Sequence, residues 1–140
     1  MRGLKEQAAI EQWMLNTAFN ELQVLQSHYL SSLKIAIAVS KDYVYQDNFV
    51  ETIQTQLQQA GIDPSLVILG IQESDILGAE EALSTTFETL KDHGIQIALE
   101  DFGTGYSSVT YLSRLPLHYL TVDRAIIDRK STRLNSSHRT

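Results

Sequence analysis

Ala98-Leu-Glu-Asp-Phe-Gly-Thr-Gly-Tyr-Ser-Ser108 is the stretch whose reading decides the fold. An apolar run, Ile95 to Leu99, drives into two adjacent carboxylates, Glu100 and Asp101, and a loop containing Gly103 and Gly105 follows. Such a run reads as a buried strand that delivers acidic groups to a sheet edge, where the glycines let the backbone bend close to another group. Ser107 or Ser108 then opens a short helix through Tyr111, Leu112 and Leu115, closed by Pro116. Leu117 to Val122 is a further strand, ending at Asp123.

Working outward, the same alternation recurs upstream. Leu33 to Val39 is short, apolar and partly β-branched, a strand ending at Ser40. Asp47 is placed to cap a helix carrying Phe49, Val50, Ile53 and Leu57, which stops at Gly61; Asp63-Pro64 is a turn. Leu66 to Ile71 is the next strand, ending at Gln72-Glu73, and a helix from about Ala79 to His93 turns Leu83, Phe87 and Leu90 inward before Gly94. In front of all this, Leu4 to about Tyr29 has Ile10, Met14, Phe19, Leu22 and Leu25 at helical spacing, with Trp13 expected on that core-facing side. The stops Gly61 and Gly94 are 33 residues apart, as are the strand ends Ser40 and Glu73, which is the length of one strand–helix unit. Strands alternating with helices imply a parallel α/β sheet, in which polar residues at the carboxyl ends of the strands share one face. Ser40, Glu73, Glu100, Asp101 and Asp123 are expected to converge there.

Composition narrows the function. The 140 residues are 43% hydrophobic and 20% charged, ordinary for a globular domain, and contain no cysteine, which excludes disulfides and thiolate metal sites. The net charge of −6 is uneven, since all 17 acids precede residue 129 while four of the 11 basic residues lie in residues 129–140. An acidic body excludes a general phosphate-backbone binder, so no nucleic-acid partner is expected. No apolar run approaches the roughly 18 residues of a membrane span. The amino terminus has no apolar signal region, so a cytoplasmic location is expected, with membrane attachment of a longer parent left open. His28, His93, His118 and His138 have no metal-ligand spacing. Asp101-Phe-Gly103 is also the kinase triplet, but no phosphate loop or strand lysine accompanies it.

Asp101-Phe-Gly-Thr-Gly-Tyr-Ser-Ser108, followed by Tyr111-Leu112 and Leu115-Pro116, closely resembles the EAL domain family, whose members carry DDFGTGYSS and then YLxxLP. The resemblance covers roughly residues 8–127, through Trp13, Leu15 and Ala18, Ile37 to Ser40, Leu69 to Glu73, and Val122-Asp123-Arg124. It implies a modified TIM-type (β/α)8 barrel, here about four strands with alternating helices. It also implies hydrolysis of cyclic di-GMP to linear pGpG by two Mg²⁺ or Mn²⁺ ions, held by carboxylates at the strand ends, with a lysine beside the attacking water.

The resemblance breaks at the chemistry. Ala38 stands where the family's VNxS motif has an asparagine ligand, and Gly70 where LExTE has a glutamate. Glu100 replaces the first aspartate of the DD pair, and Thr121 replaces the lysine of KID. Ser40, Glu73, Asp101 and Asp123 match. Glu100, Asp101 and Asp123 are therefore a vestigial metal set, and Glu73, Asp101, Phe102, Gly103, Thr104 and Gly105 form the motif loop. A two-metal clamp needs both ions held by hard oxygen ligands. The losses imply a degenerate domain that regulates, by binding a protein partner or cyclic di-GMP, without hydrolysis and without a resident cofactor. The alternatives are a parent that is an active phosphodiesterase using Mg²⁺ or Mn²⁺, and a decaying gene.

Two further expectations concern the ends. No Glu-Ala-Leu tripeptide precedes the first helix, and Glu81-Ala82-Leu83 lies inside a later one. Residues 1–128 thus read as part of an EAL domain lacking its first strand and last strand–helix units. Residues 129–140, polar and basic without periodicity, read as non-native read-through. Unpaired strand edges in such a piece favour self-association.

Overall fold

The computed structural model describes residues 4–76, 78–103 and 112–122. Helix α1 (Leu4–His28) leads into strand β1 (Ile35–Ala38), a short helix α2 (Lys41–Val44) and helix α3 (Phe49–Ala60). After a 3₁₀ turn at Pro64–Leu66 come β2 (Val67–Gln72), a short helix α4 (Glu73–Ile76), helix α5 (Glu80–Asp92), β3 (Gln96–Phe102) and β4 (Tyr119–Val122). All pairings are parallel and the sheet order is β1-β2-β3-β4, so each neighbour follows its predecessor in the chain. Parallel neighbours require a crossover, and α2–α3 and α4–α5 supply the first two. Thr104, Gly105, the helix expected from Ser107 or Ser108, Asp123 and the 129–140 tail lie outside the described residues.

The core lies between one face of the sheet and the helices. Val67, Leu69 and Ile71 of β2 and Ile97 and Leu99 of β3 are buried on that face, alternating with the other side as the strand period requires. Ile53 and Leu57 of α3 and Leu83, Phe87 and Leu90 of α5 meet them, at spacings that bring side chains onto one helical stripe. Each such side chain contributes roughly 1.5–3 kcal/mol by leaving water. Tyr43 of α2 packs edge-on against Phe49, with ring centroids 5.2 Å apart. Gly61 ends α3 with φ 72°, a left-handed conformation that a glycine adopts without strain.

Two expectations need correction. Trp13 is 66% exposed and Ile10 59%, while Met14 and Leu25 are also exposed. The stripe that turns inward is Leu15, Phe19 and Leu22. Trp13 and Leu15 are two residues apart, about 200° around a helix of 3.6 residues per turn, so they cannot share a face. The residue before α3 is Asn48 rather than Asp47, and its side chain makes no capping bond. Ser40 does cap, because a helix not foreseen in the sequence starts directly after β1: its Oγ accepts the Tyr43 N–H at 3.2 Å. The helix beginning at Glu73 was likewise not foreseen.

Phe19→Ala, which empties a fully buried site, is expected to cost about 3–5 kcal/mol in urea denaturation, whereas Trp13→Ala is expected to stay within about 0.5 kcal/mol. Equal costs would place the tryptophan in the core after all.

Candidate functional site at the carboxyl ends of the strands

The β3–β4 ladder contains the local irregularity on which the site is built. Leu99 pairs with Leu120 and Phe102 with Val122, so three steps along β3 match two along β4. Glu100 and Asp101 together stand opposite Thr121. One extra residue in one strand is a β-bulge, and it resets the alternation of side chains. Leu99 is buried in the core and Phe102 packs against it, although they are three positions apart, an offset that regular alternation would send to opposite faces. Asp101 absorbs the irregularity with φ 56°, the sole positive φ of a non-glycine residue among those described. Aspartate tolerates that region better than most residues. Its backbone N–H donates to Thr121 Oγ1 at 3.2 Å, and the same hydroxyl donates to the Leu99 carbonyl at 3.5 Å. Thr121 therefore ties the bulge to β4.

Glu73 holds the other side of the loop. It begins α4 at the carboxyl end of β2, is only 1% exposed, and accepts the Gly103 N–H at 3.2 Å through Oε2. Gly103 has φ 103°, outside what a side chain allows without strain. Beyond Gly103, residues 104–111 lie outside the description.

Ser40, at the end of β1, is tied to the helix layer. Its backbone N–H donates to Glu11 Oε1 at 2.8 Å and its hydroxyl to Glu11 Oε2 at 2.5 Å. Glu11 was missed in the sequence, although it had a signal: it stands four residues before Leu15, so a carboxylate sits on the stripe that faces inward. Burial, and secondarily the Glu11 charge, push the Tyr43 phenol up to about 12. Its hydroxyl is buried with no hydrogen-bond partner among the described residues.

The register shows how the remaining candidates relate. Ala38 pairs with Gly70, Gly70 with Ala98 and Ala98 with Tyr119, one row across the four strands. This row belongs to the face opposite the helices, since it alternates with the buried Leu69 and Leu99. Glu100 is on the same face and its carboxyl group lies over Gly70. Ala38 and Gly70 bring no donor atom to the row. Among the described residues, no three His, Cys, Asp or Glu side chains come together as metal ligands. The described residues therefore do not fit a pair of divalent cations, each of which needs about six oxygen ligands. Asp123, the remaining acid of the expected set, lies outside the description. A separate apolar groove of about 360 Å³ between Leu99, Phe102, Leu112, Leu117 and Leu120 is a different place from the acids. Among the described residues no helix is long and apolar enough to cross a membrane.

Two outcomes test the tie between α1 and the strand end. Glu11→Ala is expected to cost about 1–3 kcal/mol in chemical denaturation, because it strips the acceptors from a half-buried amide and hydroxyl. The Tyr43 phenol holds its proton more tightly in the folded protein than in the unfolded chain. Between pH 10 and about 12 the unfolded state thus binds fewer protons, and stability falls as pH rises across that window. Tyr43→Phe is expected to flatten this decline in melting curves taken from about pH 9 to 12; an unchanged slope would assign the decline to other groups.

A model of the EAL domain matches residues 4–138. The cyclic di-GMP phosphodiesterase NbdA of Pseudomonas aeruginosa is 30% identical over 118 residues, which cover 84% of this chain and 15% of that protein. The solved PaMucR phosphodiesterase in complex with cyclic di-GMP superposes with a TM-score of 0.81 at 30% identity, over 88% of this chain and 50% of that one. The EAL domain of Mycobacterium smegmatis DcpA gives 0.75 at 33% identity, over 81% of this chain and 52% of that one. The chain thus spans about half the length of these solved chains, and its four parallel strands alternating with helices are those of their barrel-like fold. It belongs to the EAL domain family.

Proposed function

We propose that this chain serves cyclic di-GMP signalling as a degenerate, regulatory EAL domain, one that engages the nucleotide or a protein partner without hydrolysing the phosphodiester. The observation that carries this reading is the donor-poor row Ala38–Gly70–Ala98 at the heart of the candidate site, with Glu100 folded over it. A two-metal hydrolase clamps the attacking and leaving oxygens between ions roughly 3.5–4 Å apart. Such a clamp needs donors from several strand ends. Here β1 and β2 present a methyl group and a bare backbone, and Thr121 of β4 spends its hydroxyl on the bulge. A threonine hydroxyl is uncharged and cannot polarise a water as an ammonium does. Glu100, Asp101 and Asp123 remain as a vestigial acidic set.

A second reading, an active phosphodiesterase in a longer parent supplied with Mg²⁺ or Mn²⁺, is favoured by the similarity to relatives such as the cyclic di-GMP phosphodiesterase NbdA. In that reading Glu73, Asp101, Phe102, Gly103, Thr104 and Gly105 form the working motif loop. The two readings differ in one measurement. The protein incubated with cyclic di-GMP and Mn²⁺ is expected to release no pGpG above the blank. Steady release that Asp101→Ala abolishes would establish the second reading. Calorimetric titration with cyclic di-GMP then separates nucleotide binding from a purely protein-directed role, and weak or no binding is expected of this 140-residue chain.

A further inference from the structure

We infer that Gly70 and Glu100 form one interlocked unit, in which the glutamate side chain fills the volume that any side chain at position 70 would need. A Cβ built on Gly70 would stand 2.6 Å from Glu100 Cδ and 3.1 Å from Cγ, and would collide outright with Oε1. Carbon atoms in contact normally stay about 3.5–4.0 Å apart. The backbone does not call for glycine here: Gly70 is absent from the positive-φ glycines and lies within regular β2 pairing on both sides. The neighbouring side chain does. Glu100 pairs with Gln72, one pleat beyond the Gly70–Ala98 pair, and reaches back diagonally over Gly70. The flanking Ala38 and Ala98 keep the row shallow.

Side-chain length is the determinant. An aspartate in place of Glu100 still sets its Cγ about 3.1 Å from the Cβ built on Gly70, but its carboxylate, one methylene shorter, can rotate off the Gly70 backbone and relieve the collision. The unit positions the acid: Glu100 carries a carboxylate across the sheet onto β2, and a side chain introduced at position 70 displaces it. The two positions consequently change together or at a cost, and an acid that replaces Gly70 alone meets one already there. This coupling is independent of whether the chain hydrolyses a nucleotide, since it is read from stability and not from product.

The test is a double-mutant cycle in the full 140-residue chain, comparing the parent protein, Gly70→Ala, Glu100→Asp and the double variant by thermal melting. With Glu100 present, Gly70→Ala must swing the end of the glutamate side chain aside and is expected to lower the melting temperature. In the Glu100→Asp background, the same change is expected to leave it unchanged or raise it, because alanine in a strand interior loses less conformational entropy than glycine. Rescue of a poorly folding Gly70→Ala protein by Glu100→Asp has the same meaning. Equal shifts in both backgrounds, a negligible shift with Glu100 present, or failure to fold in both would overturn the inference.

Discussion

The extra residue in β3 is the constraint on which the carboxyl end of this sheet depends. A parallel strand in regular pairing presents alternate residues to the core and to the opposite face, so Leu99 and Phe102 would diverge. With Glu100 and Asp101 both set against Thr121, Leu99 and Phe102 both reach the helix-covered core. The two acids are left on the other side of that requirement, one folded over β2 and one in a left-handed conformation at the mouth of the glycine loop. Thr121 from β4 and Glu73 from the end of β2 fasten the two flanks of the irregular segment. Packing on one face thus determines where charge appears on the other.

The helix layer reaches the same end of the sheet by a separate route. Leu15, Phe19 and Leu22 seat α1, and Glu11, on the same stripe, carries a carboxylate to the end of β1. There it accepts hydrogen bonds from both the amide and the hydroxyl of Ser40, whose oxygen in turn caps α2. A further polar tie crosses the layer where Gln56 Nε2 of α3 donates to the Gln12 carbonyl of α1 at 2.9 Å. The polar atoms of Ser40 are thus occupied with shaping the turn.

The backbone path of this chain and the chemistry of its uncovered face rest on different residues. Buried Glu73, which accepts the Gly103 N–H, and the strand–helix alternation maintain a backbone path, and the fold is shared with the proteins that superpose closely on it. Ala38 and Gly70 sit in regular register and leave the uncovered face without side-chain donors, while Thr121 ties the irregular segment to β4.

Much of the fold was legible in the sequence. The apolar runs before Ser40, Glu73 and Glu100, the helical stripe of Leu83, Phe87 and Leu90, and the stop at Gly61 each follow from local periodicity or from the conformational freedom of glycine, and neighbouring residues suffice to read them. The acids were legible as residue types at fixed spacings. Tertiary structure decided the rest. The phase of α1 depended on which stripe the sheet and α3 would accept, which is why Trp13 faces water and Glu11 does not. The bulge opposite Thr121 arose from matching β3 to a partner some twenty residues further along the chain. The meeting of Glu100 with Gly70 required strand register, because a diagonal contact between residues on two different strands has no local signature.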